Sequence, residues 1–347
     1  MTFDPSAAAG ADSGIFGLPF TPEESKVVLI PVPWDATTSY RAGTSYGPRA
    51  ILAASRQVDL FDREVGKPYE SKIAMLVEDP ELEAKNEEAR RCAVPIIEVG
   101  GAIEGNAELE EKLARVNALS VEVNDHVESV ARTWIEKGRI VGIIGGDHSS
   151  PLGAIKALAH REKELGILHI DAHADLREAY EGFRYSHASI MYNVLHEVPN
   201  VARIVQVGIR DFSEEEFRII EESQGRVKTF FDADLARARL HGKLESKLDD
   251  IVRELPDRVY VSFDIDGLDP RLCPNTGTPV PGGLEFFEAT LLLRLLVESG
   301  RTIVGFDLNE VAPGNDGDEW DANVGARMLY KLIGWSLKSE EDKSVSA

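Results

Sequence analysis

Short apolar runs alternate with longer amphipathic stretches along most of the chain. The runs at 26–32 (KVVLIPV), 72–77 (KIAMLV), 94–99 (VPIIEV), 140–146 (IVGIIGG), 166–172 (GILHIDA), 203–209 (RIVQVGI), 226–231 (RVKTFF), 258–266 (RVYVSFDID) and 302–308 (TIVGFDL) predict β-strands. Several are continuous Val/Ile runs, the pattern of strands covered on both faces. Segments 107–137, 151–164, 213–222, 243–254, 285–299 and 321–337 instead repeat their apolar residues at helical spacing. In the first of these, Leu109, Leu113, Val116, Val123, Val127, Val130 and Trp134 form one stripe. Strands alternating with helices predict βαβ units and a mostly parallel sheet. No internal repeat and no linker follows residue 22. The expected organisation is a flexible N-terminal arm over 1–22 and a single domain over 23–347. The acidic stretch 77–91 (VEDPELEAKNEEARR) reads as an exposed excursion.

The polar residues that break this pattern fall where the strands end. "HIDAHAD" closes one strand with Asp171, His173 and Asp175 at every second position, which a strand places on one face. "IIGGDHSSP" closes another with Asp147 and His148, and Ser149 or Ser150 is positioned to cap the following helix. "SFDIDGLDP" presents Asp264 and Asp266, and "GFDLNEVAP" presents Asp307 and Glu310. Parallel sheets bind ligands at the carboxyl ends of their strands, so four such exits point to one site. Carboxylates crowded at the rim of an apolar sheet are costly without positive charge among them. If His148, Asp171, His173, Asp175, Asp264 and Asp266 converge, four carboxylates and two neutral imidazoles balance two divalent cations. Residues two apart on a strand are ~6.6 Å apart, and paired catalytic metals sit ~3.5–4 Å apart. Neighbouring side chains can then share or divide two ions, provided that the segment curls where its strand ends. Oxygen-rich donors with a few imidazoles favour Mn2+, with Ni2+, Co2+ and Fe2+ as alternatives.

Composition narrows the class. The chain has 347 residues, 43% of them hydrophobic and 28% charged, enough for a large core. A formal charge of −22 argues against nucleic acid or an anionic membrane as partner and mildly favours cationic ligands. Cys92 and Cys273 are the only cysteines, which fits a reducing cytoplasm without a disulfide framework. The first residues, MTFDPSAAAGADSG, lack the pattern of a signal peptide, and no run approaches the ~18 apolar residues of a membrane span. His169 lies one pleat deeper than Asp171 and reads as core or as a support to a ligand. Cys273 lacks the partner base that a nucleophile needs.

"GGDHS", "DAHAD" and "SFDIDGLDP" together resemble the signatures of the ureohydrolase family of arginase, agmatinase, formimidoylglutamase and guanidinase. The resemblance extends through 37–51 (TTSYRAGTSYGPRAI), 185–191 (YSHASIM), 205–211 (VQVGIRD), 276–284 (TGTPVPGGL) and 305–313 (GFDLNEVAP), from about residue 27 to 335. It implies a three-layer α/β/α sandwich around a parallel eight-stranded sheet and a homo-oligomer, trimeric or hexameric. It also implies a two-manganese centre on His148, Asp171, His173, Asp175, Asp264 and Asp266. His187 falls at the family's proton-handling histidine, Glu310 at the glutamate that grips the guanidinium, and Thr278 at a hydroxyl near the same group. Arginases follow the last Asp of the DAHAD segment with Ile-Asn; here Leu176 and Arg177 follow Asp175. The resemblance is therefore to the agmatinase-like branch, and it implies hydrolysis of agmatine to putrescine and urea. Guanidinase, guanidino-acid hydrolase and formimidoylglutamase are the alternatives, and a non-catalytic subunit is the remote one. Arg177 would repel an ammonium or welcome a carboxylate if it faces the substrate.

Overall fold

Eight parallel strands form one sheet in the order β2-β1-β3-β8-β7-β4-β5-β6. They are β1 (Val27–Val32), β2 (Ile73–Met75), β3 (Ile140–Gly145), β4 (Leu165–Ile170), β5 (Val201–Ile209), β6 (Val227–Phe231), β7 (Arg258–Asp264) and β8 (Thr302–Asn309). The structure, a computed structural model, describes residues 3–346. Adjacent residues on a strand serve opposite layers, as the pleat requires. On β1, Val27 and Leu29 join one core with helices α1 (Gly47–Ser55), α8 (Leu244–Arg253), α9 (Phe286–Glu298) and α10 (Trp320–Ser346). Val28 and Ile30 face the other core, with α3 (Ala107–Glu136), α4 (Leu152–Arg161) and α5 (Ile190–Glu197). The fold is thus the expected three-layer sandwich. α6 (Glu214–Glu222) and α7 (Asp232–Leu240) complete the crossovers near β5 and β6.

Residues 94–99 are not a strand, and 77–91 is not a loose excursion: both belong largely to helix α2 (Pro80–Ile97), whose Asp79 side chain accepts the Glu81 N–H as its N-cap. Its buried residues are Asn86 and the apolar Leu82, Ala89, Ala93 and Ile96; the last four make its hydrophobic stripe. Alanines at two of those four positions give little hydrophobic contrast, so the acids and Pro95 dominated the pattern. Neither Ser149 nor Ser150 caps α4; its first turn starts at Pro151 with no side-chain cap, and Asp147 instead accepts the Ser149 N–H at 3.0 Å. Within the segment expected as an arm, Ile15, Phe16 and Leu18 are buried, and the Phe16 ring meets Tyr330 of α10 edge-on at 4.9 Å. Met1 and Thr2 lie outside the described residues.

Candidate metal centre

The carboxyl ends of β3, β4, β7 and β8 lie side by side at the middle of the sheet. After β3 the chain passes Gly146, where an added Cβ would stand 2.0 Å from the Trp34 carbonyl oxygen. Only glycine permits that approach, which sets His148 over the sheet's end. After β4 the backbone curls as a shared site requires. Asp175 adopts φ 54°, a left-handed conformation that costs a non-glycine residue about 1 kcal/mol or more. Its carbonyl is held by the N–H groups of Met191 and Tyr192 at 3.0 and 3.1 Å. β7 runs into a single 3-10 turn in which the Asp266 N–H donates to Asp264 Oδ1 at 2.8 Å. A Cβ on Gly267 would come 2.8 Å from the Asp171 nitrogen, so this turn lies directly against the end of β4.

All six residues expected to converge do so. His148 Nδ1 faces Asp171 Oδ2 at 2.9 Å, Asp175 Oδ2 at 3.3 Å and Asp264 Oδ2 at 3.3 Å. His173 Nδ1 faces Asp266 Oδ2 at 3.1 Å and Asp171 Oδ1 at 3.4 Å. Two groups of side chains could each hold an ion: His148, His169, Asp171 and Asp175, and then Asp171, His173 and Asp266. Asp171 belongs to both and offers one oxygen to each.

His169 is a support and not a donor to metal, by its tautomer. Thr229 Oγ1 donates to Gln206 Oε1 at 2.8 Å, which fixes the amide so that Gln206 Nε2 points at His169 Nδ1, 3.1 Å away. Nδ1 then accepts, and the ring proton on Nε2 is donated to Asp171 Oδ2 at 2.8 Å. His148 is oriented from behind in a similar way. Its Nε2 is 2.9 Å from Ser262 Oγ, which donates to Asp307 Oδ1 at 3.2 Å, so Nε2 is the ring's donor to the serine and Nδ1 is turned toward the acids. Ser262 was not singled out from sequence; its only signal is the position two residues before Asp264.

The donor set fits divalent cations. One Nδ1 can carry one proton, yet three carboxylate oxygens surround that of His148. Burial lowers the His148 pKa, but Asp171, Asp175 and Asp264 outweigh it and hold the imidazole well above its ordinary value. Burial, with Asp266 and Asp171, drives Asp264 well above the carboxylate range. Burial and the Asp171 charge push Asp175 up to about 7. Bound protons are doing in this cluster what a cation does better. Asp266 Oδ2 is buried and has only the ion-pair approach of His173 Nδ1 at 3.1 Å, with no well-formed hydrogen bond, a need that a metal would meet.

A cavity of about 400 Å³ opens over His173 and Asp175 and is also lined by Arg177, His187, Asp211 and Thr278. His187 heads a short turn and donates its N–H to Thr37 Oγ1 at 3.2 Å. Burial and the imidazoles of His173 and His148 lower its pKa to about 3, so the ring is neutral. Arg177 does face the cavity. Its guanidinium lies 4.9 Å over the Tyr180 ring, with Nε 3.7 Å from the buried Glu216 carboxylate. Glu310 sits behind His148 and not on the cavity wall, at φ 62°, and its Oε1 accepts the His148 N–H at 3.0 Å. A Cβ on Gly277, the neighbour of Thr278, would lie 3.2 Å from Glu310 Oε2, so the 276–278 backbone runs beside this carboxyl. Burial, then Asp264 and Asp147, holds the Glu310 carboxyl well above its usual range. Cys273 is buried, and burial pushes its thiol far up, which excludes a nucleophile.

Known proteins share this arrangement of chain and fold. Residues 25–334 match the arginase family. The N(1)-aminopropylagmatine ureohydrolase of Thermus thermophilus is 35% identical over 92% of this chain and 94% of its own length. The agmatinase of Photorhabdus laumondii is 30% identical over 92% and 90%. The crystal structure of agmatine ureohydrolase from Thermoplasma volcanium superposes with a TM-score of 0.73 at 27% identity, covering 95% of this chain and 96% of that one. Among the described residues no helix is long and apolar enough to cross a membrane. A two-metal cluster on a parallel α/β sandwich, matched along nearly its whole length by these proteins, makes the chain a member of the arginase family and a metal-dependent ureohydrolase.

Proposed function

We propose that the protein hydrolyses a linear guanidino amine, either agmatine or its N1-aminopropyl derivative, to urea and the corresponding amine. With agmatine the amine is putrescine. The observation that carries this reading is the charge of the outer cavity. Arg177 is matched there by Glu216, while the Asp211 carboxylate lines the wall with no ion pair among the described residues. The balance is negative, which suits a distal ammonium and disfavours a distal carboxylate. The names of the relatives from Thermus and Photorhabdus support the same class.

In this proposal His148, Asp171, His173, Asp175, Asp264 and Asp266 would hold two ions. Mn2+ is the first choice for such an oxygen-rich set, ahead of Ni2+, Co2+ or Fe2+. Bound ions neutralise the four carboxylates and supply a water acidified toward neutral pH. The Thr278 hydroxyl on the cavity wall, with the Glu310 carboxyl reached past it at the inner end of the site, would receive the planar guanidinium and orient its carbon. Attack at that carbon gives a tetrahedral centre whose collapse needs a proton on the departing amine. A neutral His187 cannot be a standing acid, so it acts as a shuttle: it takes up a proton and delivers it to the amine nitrogen. A trimeric or hexameric homo-oligomer, one catalytic domain per chain and a cytoplasmic setting belong to the same proposal.

The test is urea release from agmatine, N1-aminopropylagmatine, arginine and 4-guanidinobutyrate, assayed side by side with Mn2+. The two amines should lead in kcat/KM by at least about tenfold, equivalent to ~1.4 kcal/mol of transition-state binding. Either acid leading would overturn the substrate class and leave the chemistry standing.

A further inference from the structure

Helix α2, hidden in the hydrophobic pattern, touches both loops that hold His187. The loop after β1 has little support of its own. Between residues 35 and 42 it makes one backbone–backbone hydrogen bond, from the Thr38 N–H to the Asp35 carbonyl at 3.3 Å. Thr37 Oγ1 donates to Asp147 Oδ2 at 3.3 Å and Arg41 Nη1 to the Pro274 carbonyl at 3.0 Å, and side chains of α2 add the bonds that join the loop to a helix. Asn86 Oδ1 accepts the Asp35 N–H at 2.8 Å, and Asn86 Nδ2 donates to Asp35 Oδ1 at 3.0 Å. The second oxygen of Asp35 accepts the N–H groups of Gly43 and Ser45 at 2.9 and 3.3 Å. One turn along α2, Arg90 Nη1 donates to the carbonyls of Thr38 at 2.6 Å and Ala36 at 3.3 Å. Those carbonyls flank Thr37, whose Oγ1 accepts the His187 N–H and stands 3.5 Å from its Nδ1.

The second loop leads directly into His187. Its Phe183 is fully buried against Ala93 and Ile96 of α2, together with Ile103 and Val116. Arg90 also faces Glu181 of this loop. Burial raises that carboxyl while the Arg90 charge opposes the rise, and its Oε2 is buried without a hydrogen-bond partner.

We propose that α2 is a positioning clamp for His187: Asn86 and Arg90 fix the loop bearing Thr37, and Ala93 with Ile96 seat Phe183, so that the imidazole is held at one place over the cavity. Asn86 and Arg90 are positioning residues acting through the histidine. The inference rests on the reading of His187 as the proton shuttle. Displacing a reacting group by about 1 Å costs on the order of 100-fold in rate, and opening one side of the clamp permits shifts up to that size.

A double-mutant cycle tests it, using the metal-loaded full chain and the best substrate of the panel. Arg90→Ala should lower kcat by about 10- to 100-fold, with bound metal unchanged and KM moved much less than kcat. In a His187→Ala background the same substitution should cost less than about threefold, because the group it acts through is gone. Arg90→Lys, which keeps a cationic donor, should recover part of the loss. Arg91→Ala, an exposed neighbour with no bond to the loop, should match the parent. If Arg90→Ala does not accumulate, Asn86→Ala takes its place in the cycle. Parental kcat in the single variant, equal losses in both backgrounds, or a loss that tracks lost metal would each overturn the clamp. His187→Ala at parental turnover would refute the shuttle instead, which keeps the two failures distinguishable.

Discussion

Removing the Ser262 hydroxyl should weaken one metal position and spare the other. His148 Nε2 has Ser262 Oγ as its hydrogen-bond partner at 2.9 Å, and the next acceptor, Asp307 Oδ1, is 3.8 Å away. Ser262→Ala therefore leaves a buried ring N–H without a partner. It also frees the opposite tautomer, in which Nδ1 carries the proton and donates it to Asp171 Oδ2, already 2.9 Å away. Asp307 Oδ1 keeps the Phe263 N–H at 3.0 Å and Asn309 Nδ2 at 2.5 Å, so the oxygen that loses the serine still has two donors and the main damage falls on the histidine. A stranded buried donor costs about 1–3 kcal/mol, which corresponds to roughly 5- to 150-fold and brackets the 10- to 100-fold typical of supports behind a metal ligand. Calorimetric titration of Mn2+ into chelator-stripped protein should show the variant's weaker step shifted by that factor and the step that depends on His173 unchanged. Two parental affinities would refute the orienting role of Ser262. Equal weakening of both would refute the division of the ligands.

Asp264→Asn and His148→Asn should each bind less than the full pair of ions and lose at least about 100-fold in turnover, beyond the usual effect of an outer support; elemental analysis beside urea release checks this. His187→Ala should keep its metal while turnover falls by ~10²–10⁴-fold, the range of a proton-transfer group. Chelator-stripped protein should lose stability as pH rises: Asp175 titrates at about 7 in the fold against ~3.9 unfolded, so the contribution is full below about pH 4 and gone above pH 7. A thermal midpoint of stripped protein that rises between pH 5 and 8 would contradict that sign. Arg177→Ala should raise the kcat/KM ratio of agmatine to 4-guanidinobutyrate by about tenfold, since it leaves Glu216 and Asp211 unopposed; an unmoved ratio would remove Arg177 from substrate recognition.

What the sequence disclosed and what it hid divide along a physical line. The strands were legible because a strand buried on both faces must be apolar throughout, and the acids were conspicuous because they interrupt that rule at the strand ends. Asp171, His173 and Asp175 could be placed together from spacing alone, although the left-handed turn at Asp175 that closes the site could only be stated as a condition. Contacts that join distant parts of the chain left no local mark. Glu216 answers the charge of Arg177 from 39 residues away, and Gln206 and Thr229 set the His169 tautomer from two other strands. Helix α2 is hidden in the sequence because half of its buried apolar residues are alanine while its acids and Pro95 resemble a loop. Ile15, Phe16 and Leu18 share a segment with Ala, Gly, Ser and Pro, and their burial depends on α1 and α10 lying beside them.

The central claim is that two ions held by these six side chains drive urea formation. Metal content and urea release measured on the same samples, as Mn2+ is added stepwise to stripped protein, test it most directly. Activity should saturate only when two ions are bound per chain, and Asp264→Asn should not reach that plateau. Full urea release at one ion per chain, or from protein holding none, would contradict it.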